Sequence, residues 1–95
     1  MEESRLERRF KNEVEKRGGK ALKFVSPGMR GVPDRIVLIP GPRTVFAEIK
    51  KPGEKLEPLQ IKRKSEFEAM GYKVYEIDSI ADINHFILEV FSHEI

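Results

Sequence analysis

Three turn formers, Pro40-Gly41-Pro42, separate two runs dense in β-branched and aromatic residues, DRIVLI at 34–39 and RTVFAEIK at 43–50. Two strand-forming runs joined by so short a break specify an antiparallel hairpin, and the rest of the chain must be arranged around it. Upstream, residues 3–17 read as a helix, with Leu6, Phe10 and Val14 spaced four apart and Gly18-Gly19 closing the end. Residues 21–26 (ALKFVS) read as a strand and lead into a turn-rich loop, PGMRGVP, at 27–33. Downstream, the loop KPGEKLE reaches Pro58, a favoured first-turn residue, and a helix runs from there to about Met70 and stops at Gly71. A fourth strand at 72–77 (YKVYEI) precedes a last helix, capped by Asp78 or Ser79 and ending near Phe91. The order αβββαβα predicts an α/β fold, a central mixed sheet flanked by helices on both faces.

At 95 residues the chain is expected to form a single domain, residues 1–95. It contains no cysteine, which excludes a disulfide framework, a cysteine zinc site and a thiol nucleophile. No apolar run approaches the roughly 20 residues that span a bilayer. The first ten residues, MEESRLERRF, are too charged for a signal peptide, so an intracellular, cytoplasmic protein without membrane attachment is the expectation. The net charge of +2 hides a polarity: residues 1–64 carry 17 Lys and Arg against 9 Asp and Glu, and residues 65–95 carry 1 against 7. Such asymmetry points to a partner for the basic part, of which nucleic acid is the usual one.

The hairpin places its carboxylates unusually. Asp34 and Glu48 each lie seven residues from Gly41, so a turn centred there sets them opposite each other on one face. Like charges facing across strands are destabilising, and a divalent cation is the simplest compensation. Lys50 shares that face by period-2 alternation, with Ile49 pointing away. A slip of one residue would separate the two acids, so the reading depends on register. The alternative is that Asp34 serves the turn after Pro33 while Glu48 and Lys50 form an exposed strand pair.

The first helix offers a third carboxylate. At 100° per residue, Glu3, Leu6, Glu7, Phe10 and Val14 fall in one stripe. Glu7, at its edge beside Val14, is the preferred acid. Glu3 is held in reserve, because a glutamate in a first turn is explained by the helix dipole alone. Two or three carboxylates form a hard oxygen site suited to Mg²⁺ or Mn²⁺. Such a cation can polarise a phosphodiester while a neighbouring lysine orients water or offsets charge on the phosphate. His85 and His93 have no metal-ligand spacing and read as ordinary helix or surface residues, and no P-loop or dinucleotide-type glycine loop is present.

Pro33-Asp34 followed by Glu48-Ile49-Lys50 matches the PD-(D/E)xK nuclease signature. The surrounding text, LKFVSPGMRGVPDRIVLIPG and then VFAEIKKPGEKLEPLQ, resembles the virus-type replication-repair nuclease (VRR-NUC) family over nearly the whole chain. One departure is PGPR, where a second glycine is expected, and it touches only the hairpin tip. The resemblance implies a restriction-endonuclease-like αβββαβ core with an added C-terminal helix. It implies Asp34 and Glu48 as metal ligands, the Ile49 carbonyl as a backbone ligand, Lys50 as the catalytic lysine and Glu7 (or Glu3) as the helix acid. Gln60 matches the family's glutamine after the ExK motif and is expected to point back at Lys50, its other reading being a polar first-turn residue.

A DNA surface is expected around these positions: Arg30 and Gly31 in the 27–33 loop, Lys51 and Lys55 after the catalytic strand, and Lys62, Arg63 and Lys64 on the next helix. Phosphate contacts of this kind give affinity without sequence information. In the last helix Ile80, Ile83, Phe86, Ile87, Val90 and Phe91 span about 140°, which fits either a deeply buried helix or a dimer contact. Free-standing members of the family resemble Holliday-junction resolvases that act as twofold dimers, and two symmetric cuts need two sites. The expected activity is therefore a Mg²⁺- or Mn²⁺-dependent endonuclease cutting branched DNA, most simply four-way junctions, as a homodimer. The alternatives are a flap, splayed-arm or nicking nuclease with the same site, and a DNA-binding module without catalysis.

Overall fold

The computed structural model describes residues 2–91. Its elements are α1 (Glu3–Lys16), β1 (Lys20–Lys23), β2 (Arg35–Ile39), β3 (Arg43–Ile49), α2 (Pro58–Ala69), β4 (Val74–Ile77) and α3 (Ile80–Phe91), so the expected order and fold class hold. The four strands lie in sequence order, with β1–β2 and β2–β3 antiparallel and β3–β4 parallel. The parallel pair is made possible by the α2 crossover.

All four strands are shorter than expected, β2 and β3 by one residue and β1 and β4 by two, the larger differences for local reasons. β1 ends at Lys23, and Phe24 continues only as one bond, its N–H donating to the Asp34 carbonyl at 2.8 Å before the Pro27 turn. β4 starts at Val74 because residues 71 and 72 close α2. Gly71 (φ +98°) donates to Glu68 and Tyr72 donates to Phe67, the Schellman pattern. Of the two proposed caps for α3, Ser79 is the one that acts: its Oγ accepts the Asp82 N–H at 3.0 Å.

Alternation along the strands sorts the sheet into two unlike faces. Ala21, Val37, Ile39, Val45, Ala47, Ile49 and Ile77 point to the side covered by α1 and α3, where Leu6, Phe10 and Val14 meet Ile83, Phe86, Val90 and Phe91. Each large side chain fully buried there contributes about 1.5–3 kcal/mol. The wide apolar stripe of α3 is used inside this core, and of its large apolar residues only Leu88 is mostly exposed, at 67%. The reading of that stripe as a dimer surface is therefore corrected in favour of the buried helix. The other face is thinner. α2 has no fully buried residue and is held by an aromatic group, with Phe46 stacked against Phe24, Phe67 and Tyr72 at centroid distances of 5.8, 4.9 and 5.6 Å. Among the described residues no helix is long and apolar enough to cross a membrane.

Candidate active site

The hairpin register decides the site. Arg35 faces Ala47, Ile36 faces Phe46 and Val37 faces Val45, symmetric about Gly41, whose φ of +95° turns the chain. Continued by one residue, the same register sets Asp34 opposite Glu48. They lie on the α2 side of the sheet, at the end where β3 finishes. The Ile49 N–H donates to Asp34 Oδ2 at 2.9 Å, fixing that carboxylate against β3.

Glu48 is 2% exposed, and its Oε1 is buried with no hydrogen-bond partner. Burial, then a hydrogen bond and the charge from Asp34, push its carboxyl up to about 9, with Glu3 adding to the rise and Lys50 opposing it. No cationic side chain forms an ion pair with Asp34 or Glu48 among the described residues. A buried, unsatisfied acceptor beside a second carboxylate is costly unless something positive completes it. A hard divalent cation fits that need. Among the described residues no three acidic or histidine side chains converge at metal-ligand distance, so such an ion would also draw on backbone oxygen and water.

The helix acids divide differently from expectation. Glu7, the preferred one, is held at 3.3 Å by Arg35, a buried arginine that also donates to the Ala21 carbonyl at 3.0 Å. Glu3, the reserve, is the helix carboxylate whose charge bears on Glu48. With Glu2, Ser4 and Arg5 it lines an open groove against Lys51 and Pro52, shortly after β3 ends. Arg35 was legible as an anomaly: it is a charged residue in register with Val37 and Ile39 on the core face.

Lys50 anchors its backbone to the Ile77 carbonyl at 2.9 Å, and it lines a cavity of about 210 Å³ with Glu54, Glu76, Asp78 and Asp82. Gln60 has a local partner. Its Oε1 accepts the Glu57 N–H at 2.8 Å, so the side chain belongs to the α2 cap, the other reading of that position.

The expected DNA-facing cluster also separates. Lys64 pairs with Glu68, four residues on in α2, at 3.6 Å and with Glu76 at 3.1 Å, the second a partner that sequence reading could not supply because it depends on β4 lying beside β3. Arg63 Nε donates to the Arg30 carbonyl at 2.9 Å and its guanidinium pairs with Glu66, so it clamps the 27–33 loop. Gly31 (φ +83°) packs in the same contact: a Cβ there would lie 2.8 Å from Leu59 Cγ and 2.9 Å from its carbonyl oxygen. Arg30, Lys51, Lys55 and Lys62 remain exposed. His85 is an exposed α3 residue, and His93 lies outside the described residues. A second concavity, lined by Arg43, Tyr72, Lys73 and Tyr75, sits where β3 begins, and the carboxylates lie where it ends.

None of the protein-family models matches the chain. It is 46% identical over 79 residues to the protein named "Putative nuclease p44" of Acyrthosiphon pisum secondary endosymbiont phage 1, covering 83% of this chain and 85% of that one. Among solved structures it is similar to one described as a VRR_NUC domain, with a TM-score of 0.86, 26% identical residues, and 98% of this chain and 97% of that chain covered.

Proposed function

This chain belongs to the VRR-NUC family of nucleases, and from that premise we propose that it is a metal-dependent endonuclease that hydrolyses phosphodiester bonds in branched DNA. The observation that carries the reading is the Asp34–Glu48 pair, one acid clamped by the Ile49 amide and the other buried with an unsatisfied oxygen, with Lys50 two residues along the strand.

Asp34, Glu48 and the Ile49 carbonyl would hold Mg²⁺ or Mn²⁺, with Glu3 as the helix acid completing the charge. An ion held there would supply Lewis acidity toward the phosphodiester and the attacking water. Lys50 orients that water and offsets negative charge growing on the phosphate oxygens. Attack at phosphorus expels the 3′ oxygen, leaving a 5′-phosphate and a 3′-hydroxyl. Gln60 fixes the start of α2, and Arg63 fixes the loop that delivers Asp34.

Four-way junctions are the proposed substrate, cut by a homodimer that presents two sites. With most of the α3 stripe packed in the core, the exposed apolar side chains open to a second copy include Leu22 and Leu38, 45% and 41% exposed on the α2 side of the sheet edge. The test is cleavage of end-labelled four-way junction, flap, splayed-arm and plain duplex DNA with Mg²⁺, Mn²⁺ or EDTA, with Lys50→Ala run alongside. Paired symmetric cuts in the junction that need metal and vanish in the variant are expected. Cutting confined to flaps or ends would keep the site and replace the substrate. Junction binding without cutting would make the chain a non-catalytic module.

A further inference from the structure

The outward face of α1 carries a row of arginines that the active site does not use. Leu6, Phe10 and Val14 face the core, and at 100° per residue the opposite side is centred on Arg5, Arg8, Arg9 and Asn12, all exposed and lining a shallow recess with Glu13 and Lys16 at its far end.

Helix stability does not explain this placement. Arg5 lies three and four residues from Arg8 and Arg9, where like charges repel. Arg5 sits in the first turn, where the dipole disfavours a cation, while Glu13 and Glu15 sit in the last, where it disfavours an anion. Nor are the arginines neutralised. Glu13, the acid Arg9 would meet four residues on, is taken by Lys16 at 3.3 Å and Arg17 at 2.9 Å. Among the described residues Arg5, Arg8 and Arg9 form no ion pair, whereas Arg35, Arg43 and Arg63 each donate to a backbone carbonyl inside the fold.

The row is also continuous with the site. Arg5 lines the groove that holds Glu3 and Lys51, and from Arg5 to Arg9 the helix runs about 6 Å, close to two phosphate steps of about 3.4 Å along one strand. Guanidinium groups match phosphate oxygens two at a time. The one aromatic residue of α1, Phe10, is buried, so this face offers no platform for unstacked bases and suits a duplex.

We propose that the outward face of α1 is a backbone track for a duplex arm leaving the scissile phosphate, with Arg5, Arg8 and Arg9 as its phosphate contacts. The proposal rests on the reading of Asp34, Glu48 and Lys50 as a DNA-cleaving site.

The experiment measures binding of a four-way junction to the full chain carrying Lys50→Ala, over a series of salt concentrations. It compares Arg5→Gln/Arg8→Gln/Arg9→Gln with a charge-matched control, Lys11→Gln/Lys20→Gln/Lys73→Gln. Losing three phosphate contacts lowers the slope of log K against log salt by about 2 to 3. Affinity near 0.15 M salt should fall tenfold or more in the arginine variant, with the control changing the slope by less than about one. Trimming the junction arms to about five base pairs should weaken the parent and leave the arginine variant nearly unaffected. Equal slopes for the two triple variants, or a parent-like slope in the arginine variant, overturn the track. Loss of self-association with DNA binding intact would assign the row to an acidic protein surface instead. A parent chain that binds no DNA would defeat the functional reading itself, before α1 is considered.

Discussion

The Ile49 amide donates to Asp34 Oδ2 at 2.9 Å, so the acid that precedes β2 is held by the residue separating Glu48 from Lys50. The bond needs an acceptor oxygen and no charge. Asp34→Asn keeps that acceptor and should fold with a melting temperature near the parent's, while removing a carboxylate that a bound cation would need. Cleavage should fall about 100-fold or more, the scale of losing a group that organises transition-state charge. Junction binding in Ca²⁺ or EDTA should persist, and single-turnover cleavage beside a gel-shift titration separates the two effects.

Glu48 carries the pH dependence. Its carboxyl, pushed up to about 9 by burial and by Asp34, keeps a proton in the folded chain that the unfolded chain releases near 4.5. Between those values the folded state binds more protons, so stability without metal is greatest at low pH and declines as pH rises toward 9. A divalent cation must displace that proton, which reverses the trend: metal affinity should rise up to tenfold per pH unit and level off near 9. Melting curves from pH 5 to 9 in EDTA and in Mg²⁺ should therefore converge at low pH and diverge at high pH. Glu48→Gln should flatten the EDTA curve and abolish the Mg²⁺ response. A parallel pair of curves would mean that no proton is exchanged for metal at Glu48.

Glu3 and Glu7 separate by which measurement each one moves. Glu7 pairs at 3.3 Å with Arg35, and Glu7→Gln leaves a buried guanidinium without its counter-charge. Because Glu7 keeps partial solvent access, the expected cost is about 1–3 kcal/mol, read by urea denaturation, with cleavage of the folded fraction little changed. Glu3→Gln should do the opposite, leaving stability near the parent's and weakening the response to Mg²⁺. Equal stability losses in the two variants would remove the assignment of Glu3 to the site.

These two glutamates also mark where sequence reasoning stops. The Asp34–Glu48 opposition was legible because Pro40-Gly41-Pro42 leaves the hairpin one natural centre, and every cross-strand pair follows from it. The choice between Glu3 and Glu7 was not, because both lie in the α1 stripe. It depends on where a buried arginine 28 residues from Glu7 finds its partner. The partners of Lys64 and Gln60 were only partly legible, for related reasons. Glu76 comes within reach of Lys64 only once β4 pairs in parallel with β3, and the Gln60 side chain was claimed locally by the Glu57 amide. The α3 stripe was recognised as wide, but period alone does not say whether a second helix or a second subunit covers it. Here α1 does.

The loop that delivers Asp34 supplies the remaining prediction. Gly31 has a φ of +83°, and an added Cβ would fall 2.8 Å from Leu59 Cγ and 2.9 Å from the Leu59 carbonyl oxygen. Gly31→Ala therefore combines left-handed strain with a clash against backbone that cannot swing away, and should cost about 1–3 kcal/mol. Arg63→Ala removes the other tie on the same loop, the 2.9 Å bond to the Arg30 carbonyl, at a smaller cost of about 1 kcal/mol. Since both ties act three or four residues before Asp34, each variant should lose cleavage well below its melting temperature, and Mg²⁺ should protect it less than the parent. Arg63 also bears on DNA electrostatics, so Arg63→Lys is the informative companion. It keeps the charge but loses the guanidinium geometry that reaches Arg30. If cleavage tracks the clamp, Lys behaves like Ala. If it tracks charge, Lys behaves like the parent and Arg63 returns to the DNA-contacting set.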